Sequence, residues 1–327
     1  SNGATPVFCD IDRETFNMDP KDIEKRITKK TKAIMVIHVW GCPCDMDAIM
    51  ALAKKYNLKV VEDCSHSHGA TYHGKRVGVI GDVGCFSMQG SKMLTAGEGG
   101  ILVTNNREYF ERAEAYGHYE RLGGLPDDSN YKKYHATGMG YKYRVHPLGI
   151  AIANTELDRL EQRNKIRNDN GKLLEEKIAD IDCLAPQKLC PDSERLYAYH
   201  YMYYNPDKLG GVAPYTLLKA MSAEGMMCGE CGYGTMHKAP LFLEGGPFGL
   251  CGKTDPALSL PVTEELNQRT IMVAPRFETH CPELIEQYAQ AIRKITSSID
   301  ELLRFQDSSD YRPDAQQVSS RSVNLVK

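Results

Sequence analysis

Glu62-Asp63-Cys64-Ser65-His66-Ser67-His68-Gly69 is the stretch on which the fold of this chain turns. It follows Leu58-Lys59-Val60-Val61, a short β-branched run that reads as a buried strand, so two carboxylates stand at a strand's carboxyl end. Upstream, Ala33 to Val39 reads as a second buried strand. Between them Asp45 to Tyr56 has helical periodicity, with Asp45 as N-cap and Ile49, Met50 and Leu52-Ala53 facing inward. Downstream, Val83 to Met88 and Ile101 to Thr104 read as strands separated by a loop that carries Lys92, and Arg107 to Tyr116 as a helix. Strands alternating with helices predict an α/β fold with a mostly parallel central sheet covered by helices on both faces. Ligands of such sheets bind beyond the carboxyl ends of the strands, where Asp63 and the loop after Phe86 fall.

Beyond this core the signals change. Gly117 to Tyr134 is polar and rich in Gly, Asp and Tyr, as in a long surface loop. Pro147 to Ile181 reads as one long helix, with Leu157, Leu160, Ile166 and Leu173-Leu174 marking its buried face. Cys183 to Leu303 then reads as a smaller α+β domain, with a strand at Tyr197 to Tyr204, a helix at Pro214 to Gly225 and a final helix at Pro282 to Leu303. The expected division is a large domain over 1–150, the long helix and small domain over 151–305, and a disordered tail over 306–327. Ala4-Thr5-Pro6-Val7-Phe8 already reads as a strand, so the chain is expected to open inside a sheet whose upstream sequence is missing.

Composition narrows the function. A net charge of −3 over 327 residues offers no basic field for nucleic acid. No apolar run is long enough for a membrane helix and no secretory signal opens the chain, which points to the cytoplasm. Eleven scattered cysteines, an odd number, read as reduced thiols. Cys42-Pro43-Cys44 and Cys228-Gly229-Glu230-Cys231 are too far apart and too unlike to make a paired zinc site, so no metal is expected.

The remaining constellation suits an aldehyde cofactor with a pyridine nitrogen and a phosphate. Such a cofactor needs a lysine that bonds the aldehyde and carries a proton, a carboxylate facing the ring nitrogen, and hydroxyl or N–H donors for the phosphate. Lys92, Asp63 and Ser87 supply one group to each task, and His66 a group beside the ring, although one serine does not hold a dianionic phosphate alone. Taken singly each has a plainer reading. A lysine in a Gly-rich loop is usually solvated, an Asp after a strand usually caps a turn, and Gly97-Glu98-Gly99-Gly100 is a tight turn.

In their order these residues resemble the DegT/DnrJ/EryC1/StrS family, the sugar and cyclitol aminotransferases among the fold-type-I pyridoxal-phosphate enzymes. The matching stretches include Ile37-His38-Val39-Trp40-Gly41-Cys42-Pro43-Cys44-Asp45-Met46, Val60 through Ala70, Gly81-Asp82-Val83-Gly84-Cys85-Phe86-Ser87, Leu94 through Gly100 and Gly140-Tyr141-Lys142-Tyr143-Arg144. The resemblance implies Lys92 as the lysine bonded to pyridoxal 5′-phosphate, Asp63 as the ring-nitrogen partner, His66 beside the ring and Ser87 on the phosphate. It also implies that the segment around Lys142, where the family usually has Asn, reaches the cofactor phosphate of a neighbouring subunit in a homodimer. A lysine at position 92 fits transamination rather than the family's dehydratase branch, where histidine takes its place. The implied reaction moves an amino group from glutamate or glutamine to a ketone on a sugar nucleotide or cyclitol. The family has a further segment before Pro6, with a phosphate-binding turn and an aromatic residue over the ring, that this sequence does not show. A catalytically inactive binding or scaffold subunit with the same fold is therefore the alternative expectation.

Overall fold

The computed structural model describes residues 3–137, 141–246 and 252–308. After α1 (Pro20–Arg26) come β1 (Ala33–Ile37), α2 (Met46–Tyr56) and β2 (Lys59–Asp63). A hairpin of β3 (Thr71–Tyr72) and β4 (Lys75–Arg76) leads to β5 (Val83–Ser87), β6 (Gly100–Val103) and α3 (Arg107–Gly117). The long helix α4 (Pro147–Lys177) precedes β7 (Leu184–Pro186), β8 (Ser193–Glu194), β9 (His200–Tyr204) and α5 (Pro214–Ala223). Then follow β10 (Gly229–Glu230), α6 (Pro240–Glu244), α7 (Pro261–Arg269), β11 (Thr270–Ala274), α8 (Pro282–Ser297) and α9 (Ile299–Gln306).

The first sheet has the order β1-β2-β5-β6. Its first three strands are parallel, and β6 returns antiparallel to β5. Register aligns Ile37 with Asp63 and Asp63 with Cys85, so the carboxyl ends of the parallel strands lie side by side. Ile34, Val36 and Val60 bury one face against Ile23 of α1 and Met46, Ile49 and Ala53 of α2. The opposite face carries Met35, Ile37 and Leu102, all exposed. As the sequence predicts, the Asp45 carboxylate caps α2, accepting from Ala48 N at 3.1 Å. The second sheet, β10-β11-β9-β7, is antiparallel throughout and packs under α5, α8 and the end of α4 around Met202, Val273, Ile285 and Ile292. This mixed α/β architecture agrees with the expected one.

Several local expectations are corrected. Ala4 to Phe8 forms no strand; among the described residues no strand pairs with it, and Phe8 instead packs edge-on against Phe242 at 4.9 Å. The segment 117–134 is not an open loop: it winds through 3-10 turns at Tyr119–Gly124 and Lys132–Tyr134, and Leu122 and Leu125 bury against Ala115. Leu157 lies on the exposed face of α4, 55% exposed, while Asn164, Arg167 and Asn170 turn inward. Those polar groups are buried because neighbouring loops hydrogen-bond them: Asn164 Nδ2 donates to His68 O at 2.7 Å and Asn170 Nδ2 to Thr279 O at 2.7 Å. The final helix is two, broken at Ser298, where φ −104° and ψ 42° leave the helical region. Gly140 and the tail from residue 309 lie outside the described residues, and α9 runs to Gln306.

Candidate active site

Successive side chains of a strand point to opposite faces, and β2 uses this at Glu62 and Asp63. Glu62 is fully buried and accepts from Gly78 N at 2.7 Å, Ile80 N at 2.8 Å and Gly81 N at 2.6 Å. His38 Nδ1 accepts from Cys44 N at 3.0 Å, so Nε2 carries the proton and donates to Glu62 Oε2 at 3.1 Å. Asp63, partly exposed, faces the other way, and its Oδ1 accepts from Ser65 N at 2.9 Å, which starts the turn into His66. Ser67 Oγ donates to His38 O at 2.9 Å and pins that turn to the end of β1.

Lys92 sits in a loop tied at its neck. Met88 N donates to Gly99 O at 2.9 Å and Ala96 N to Met88 O at 2.8 Å. Inside the neck Lys92 N donates to Gln89 O at 2.8 Å, and buried Met93 and Leu94 anchor the following residues. Burial holds the Lys92 ammonium below the ordinary lysine value; the Asp63 carboxylate works against this and the Arg276 guanidinium adds to it. His66 is pushed down to about 4 by burial, helped by the charge of Lys92 and opposed by Asp63. His68 is also pushed down to about 4 by burial, with Lys92 and Arg167 adding to it. These mutual fields place Asp63, His66, His68 and Lys92 in one group at the carboxyl ends of β2 and β5.

The structure thus brings together three of the five residues singled out in the sequence: Lys92, Asp63 and His66. Ser87 ends β5 beside them. The His68 ring lies against its backbone, and its hydroxyl accepts from Gln89 N at 3.4 Å. Lys142 pairs with a different set of groups: its ammonium donates to Glu120 Oε1 at 2.7 Å, and its backbone bridges His118.

Two contributors were not read from the sequence. Tyr233, in the loop after β10, brings its hydroxyl to 3.4 Å from His66 Nε2. Arg276, just past β11, donates through Nη1 to Ser91 O and lies 3.9 Å from Met93 Sδ. A signal existed for the second, because Arg276 is the charged residue in the otherwise apolar run Ile271 to Phe277 and stands at a strand's end.

His38, Glu62 and Cys64 have ligand atoms close enough together to suggest a cation. Their lone pairs are already used. Glu62 accepts four hydrogen bonds, His38 uses both nitrogens, and burial pushes the Cys64 thiol up, which keeps it protonated.

A model of the DegT/DnrJ/EryC1/StrS aminotransferase family matches residues 1–293. The chain belongs to that family. It is 35% identical over 282 residues to the L-glutamine:2-deoxy-scyllo-inosose aminotransferase of Streptomyces paromomycinus, covering 83% of this chain and 66% of that protein. It is 43% identical over 159 residues to the GDP-perosamine synthase of Escherichia coli O157:H7, covering 49% of this chain and 42% of that protein. Among solved structures, the aminotransferase from Psychrobacter cryohalolentis superposes with a TM-score of 0.78 at 30% identity, over 91% of this chain and 76% of that one. The chain spans about half to two thirds of the length of the curated relatives it matches. Fold and family are those that the motifs around Asp63 and Lys92 led one to expect.

Proposed function

We propose that this DegT/DnrJ/EryC1/StrS family member is a pyridoxal 5′-phosphate-dependent aminotransferase that moves the amino group of glutamine or glutamate to a ketone on a cyclitol or sugar nucleotide. The carrying observation is the grouping of the half-buried Lys92 amine with the Asp63 carboxylate and the His66 ring at the carboxyl ends of β2 and β5.

The residues present fit the cofactor. An amine held below its ordinary value has a larger neutral fraction to bond an aldehyde. Asp63 would hold the ring nitrogen protonated, His66 would lie beside the ring, and Ser87 with neighbouring backbone N–H groups would take part of the phosphate. Bound, the cofactor supplies a ring that accepts the electron pair left when the donor's Cα–H bond breaks. Lys92 would take up that proton on Nζ as base and give it back as acid. Burial keeps His66 uncharged at neutral pH, so it adds no second cation beside Lys92. The substrate class is supported by one relative named for a cyclitol ketone and another named for a nucleotide-linked amino sugar.

Two further parts belong to this proposal. One is a homodimer in which Lys142 faces the partner's phosphate; exposed Tyr141, Tyr143, Leu148 and Ile152 support an interface on that flank. The other is a cytoplasmic setting, supported by the described cysteines, all free thiols.

The test is to incubate the protein with pyridoxal phosphate, reduce with borohydride and map the modified peptide. The expected result is one stable adduct, on the peptide containing Lys92, and none in Lys92→Ala. An adduct confined to another lysine, or glutamine and a keto-cyclitol giving no amino product with the wild-type protein, would overturn it.

A further inference from the structure

We propose that Arg276 is a positioning residue for Lys92: from the far sheet it grips the loop on both sides of that lysine and keeps a fixed positive charge beside its amine. The inference rests on the function proposed above, in that Lys92 is taken as the reacting amine.

Three observations converge. First, the guanidinium touches the residues flanking Lys92, accepting nothing and donating to Ser91 O while lying 3.9 Å from Met93 Sδ. Ser91 is exposed and Met93 buried, so Arg276 holds the loop where its own packing gives out. Second, Arg276 is itself braced. Its Nε donates to Glu278 Oε1 at 2.6 Å, and Glu278 Oε2 accepts from Arg167 Nη2 at 2.9 Å. Arg167 is 2% exposed, and its Nη1 donates to Asn164 Oδ1 at 2.9 Å. Asn164 Nδ2 then donates to His68 O at 2.7 Å. A chain of polar contacts therefore runs from the carbonyl before Lys92, through the segment just past β11 and through α4, to the loop that carries His66 and His68. Third, the charges that reach the amine come from each wall of the site. Asp63 lies on β2, His66 and His68 on the loop after it, and Arg276 past β11, with Glu278 and Arg167 behind it. The two histidines are held neutral, so Arg276 is the cation opposing Asp63 in that group.

A guanidinium is suited to both duties. Its charge does not titrate in the working range, and its planar fork grips a carbonyl and a carboxylate at once. A like charge near an ammonium favours the neutral amine. Arg276 thus raises the fraction of Lys92 able to act as nucleophile or base.

The experiment reads the amine directly, on the intact protein without added cofactor. Competitive acylation with acetic anhydride over a pH series, followed by peptide mass spectrometry, gives the titration of Lys92. Arg276→Gln is expected to move that titration up. Arg276→Lys keeps the charge and is expected to stay near wild type, although its loop is held less firmly. Glu278→Gln leaves the guanidinium unneutralised and is expected to move the titration down, which supplies a second test should Arg276→Gln fold poorly. Equal titrations in wild type, Arg276→Gln and Glu278→Gln would overturn the inference. So would Arg276→Lys shifting as far as Arg276→Gln, since a merely structural anchor would treat the two alike. The readout is independent of turnover: borohydride adducts on another lysine would remove the proposed function while leaving these shifts to be measured.

Discussion

Glu62 and Asp63 are adjacent on β2 and point to opposite faces of the sheet: Glu62 is buried beneath four hydrogen-bond donors, and Asp63 is partly exposed, with its charge reaching the Lys92 amine. The period of two in a strand puts the two carboxylates in different surroundings within a single peptide unit. Substitution at the two positions should therefore fail in different ways.

Glu62→Ala strands the N–H groups of Gly78, Ile80 and Gly81 and the His38 ring without an acceptor, and should cost about 3–5 kcal/mol. Glu62→Gln should cost less, because its amide oxygen still accepts, but its NH₂ meets a donor. Burial alone would raise the Glu62 pKa; the His38 and backbone bonds outweigh it and hold it below its ordinary 4.5. The carboxylate's contribution is thus present above that value and is lost as pH falls through the lower folded one. Urea unfolding midpoints over a pH series check this, and the Gln variant should lack that part of the acid-induced loss.

Asp63→Asn should leave the fold intact, since its backbone pairing and the turn acceptor at Oδ1 survive. Turnover should fall roughly a hundredfold or more, the scale of removing a positioned acid–base group. The Lys92 amine, losing its attractive neighbour, should titrate lower than in wild type. Acylation of Lys92 and steady-state kinetics on one preparation separate the two effects. Wild-type kinetics in Asp63→Asn would remove Asp63 from the site.

Buried neutral histidines make the chain acid-labile. Burial holds His68 to about 4 and His200 to about 3, against an ordinary 6.5. A histidine depressed in the folded state costs nothing above 6.5; below it the unfolded chain takes up the proton first, so stability falls until pH passes the folded value. The loss is on the order of 3–5 kcal/mol for each. His200 stacks on Tyr197 at 5.2 Å with both ring nitrogens unpartnered. His200→Phe should therefore flatten the acid side of the stability curve without harming stability at neutral pH by more than its extra volume demands. A slope unchanged in that variant would show that His200 is not the group titrating.

What the sequence disclosed follows a physical line. Asp45 capping α2 and the strands around Asp63 and Lys92 are set by neighbours within a few positions, and a pattern in the chain records them. The inward Asn164, Arg167 and Asn170 of α4 are not so recorded. Their burial depends on carbonyls and carboxylates more than ninety positions away, apart from the Arg167–Asn164 contact itself, so the helix face is misread when apolar residues alone define it. Arg276 reaches Ser91 across 185 positions, and Tyr233 reaches His66 across 167. Ala4 to Phe8 has strand composition, yet a strand is a relation to a partner, and composition does not supply one.

Gly41 ties the site to the second half of the chain, and its replacement should be the most damaging glycine change near the site. Trp40 and Gly41 are both left-handed, at φ 51° and 88°. Trp40 tolerates this because its ring stacks on Tyr201 at 4.1 Å and meets Phe16 edge-on at 6.3 Å. Gly41 has no such compensation available: a Cβ there would lie 1.8 Å from Leu196 O and 3.1 Å from His66 O. The same peptide accepts a hydrogen bond from Leu196 N at 2.9 Å, so the two backbones move apart only by giving that up. Gly41→Ala should cost about 3 kcal/mol or more, combining the left-handed penalty with a backbone clash. Gly74, in the hairpin between β3 and β4, has φ 72° and open space around its Cβ. Gly74→Ala carries the conformational penalty alone, about 1 kcal/mol, and is the control. Urea unfolding of the two variants should differ by roughly the cost of the clash. Because the added Cβ also crowds the His66 carbonyl at 3.1 Å, Gly41→Ala should also weaken pyridoxal phosphate uptake at temperatures where it remains folded, while Gly74→Ala should not. Equal stabilities and equal uptake would mean that the 41–196 contact yields freely and does not fix the loop that bears His66.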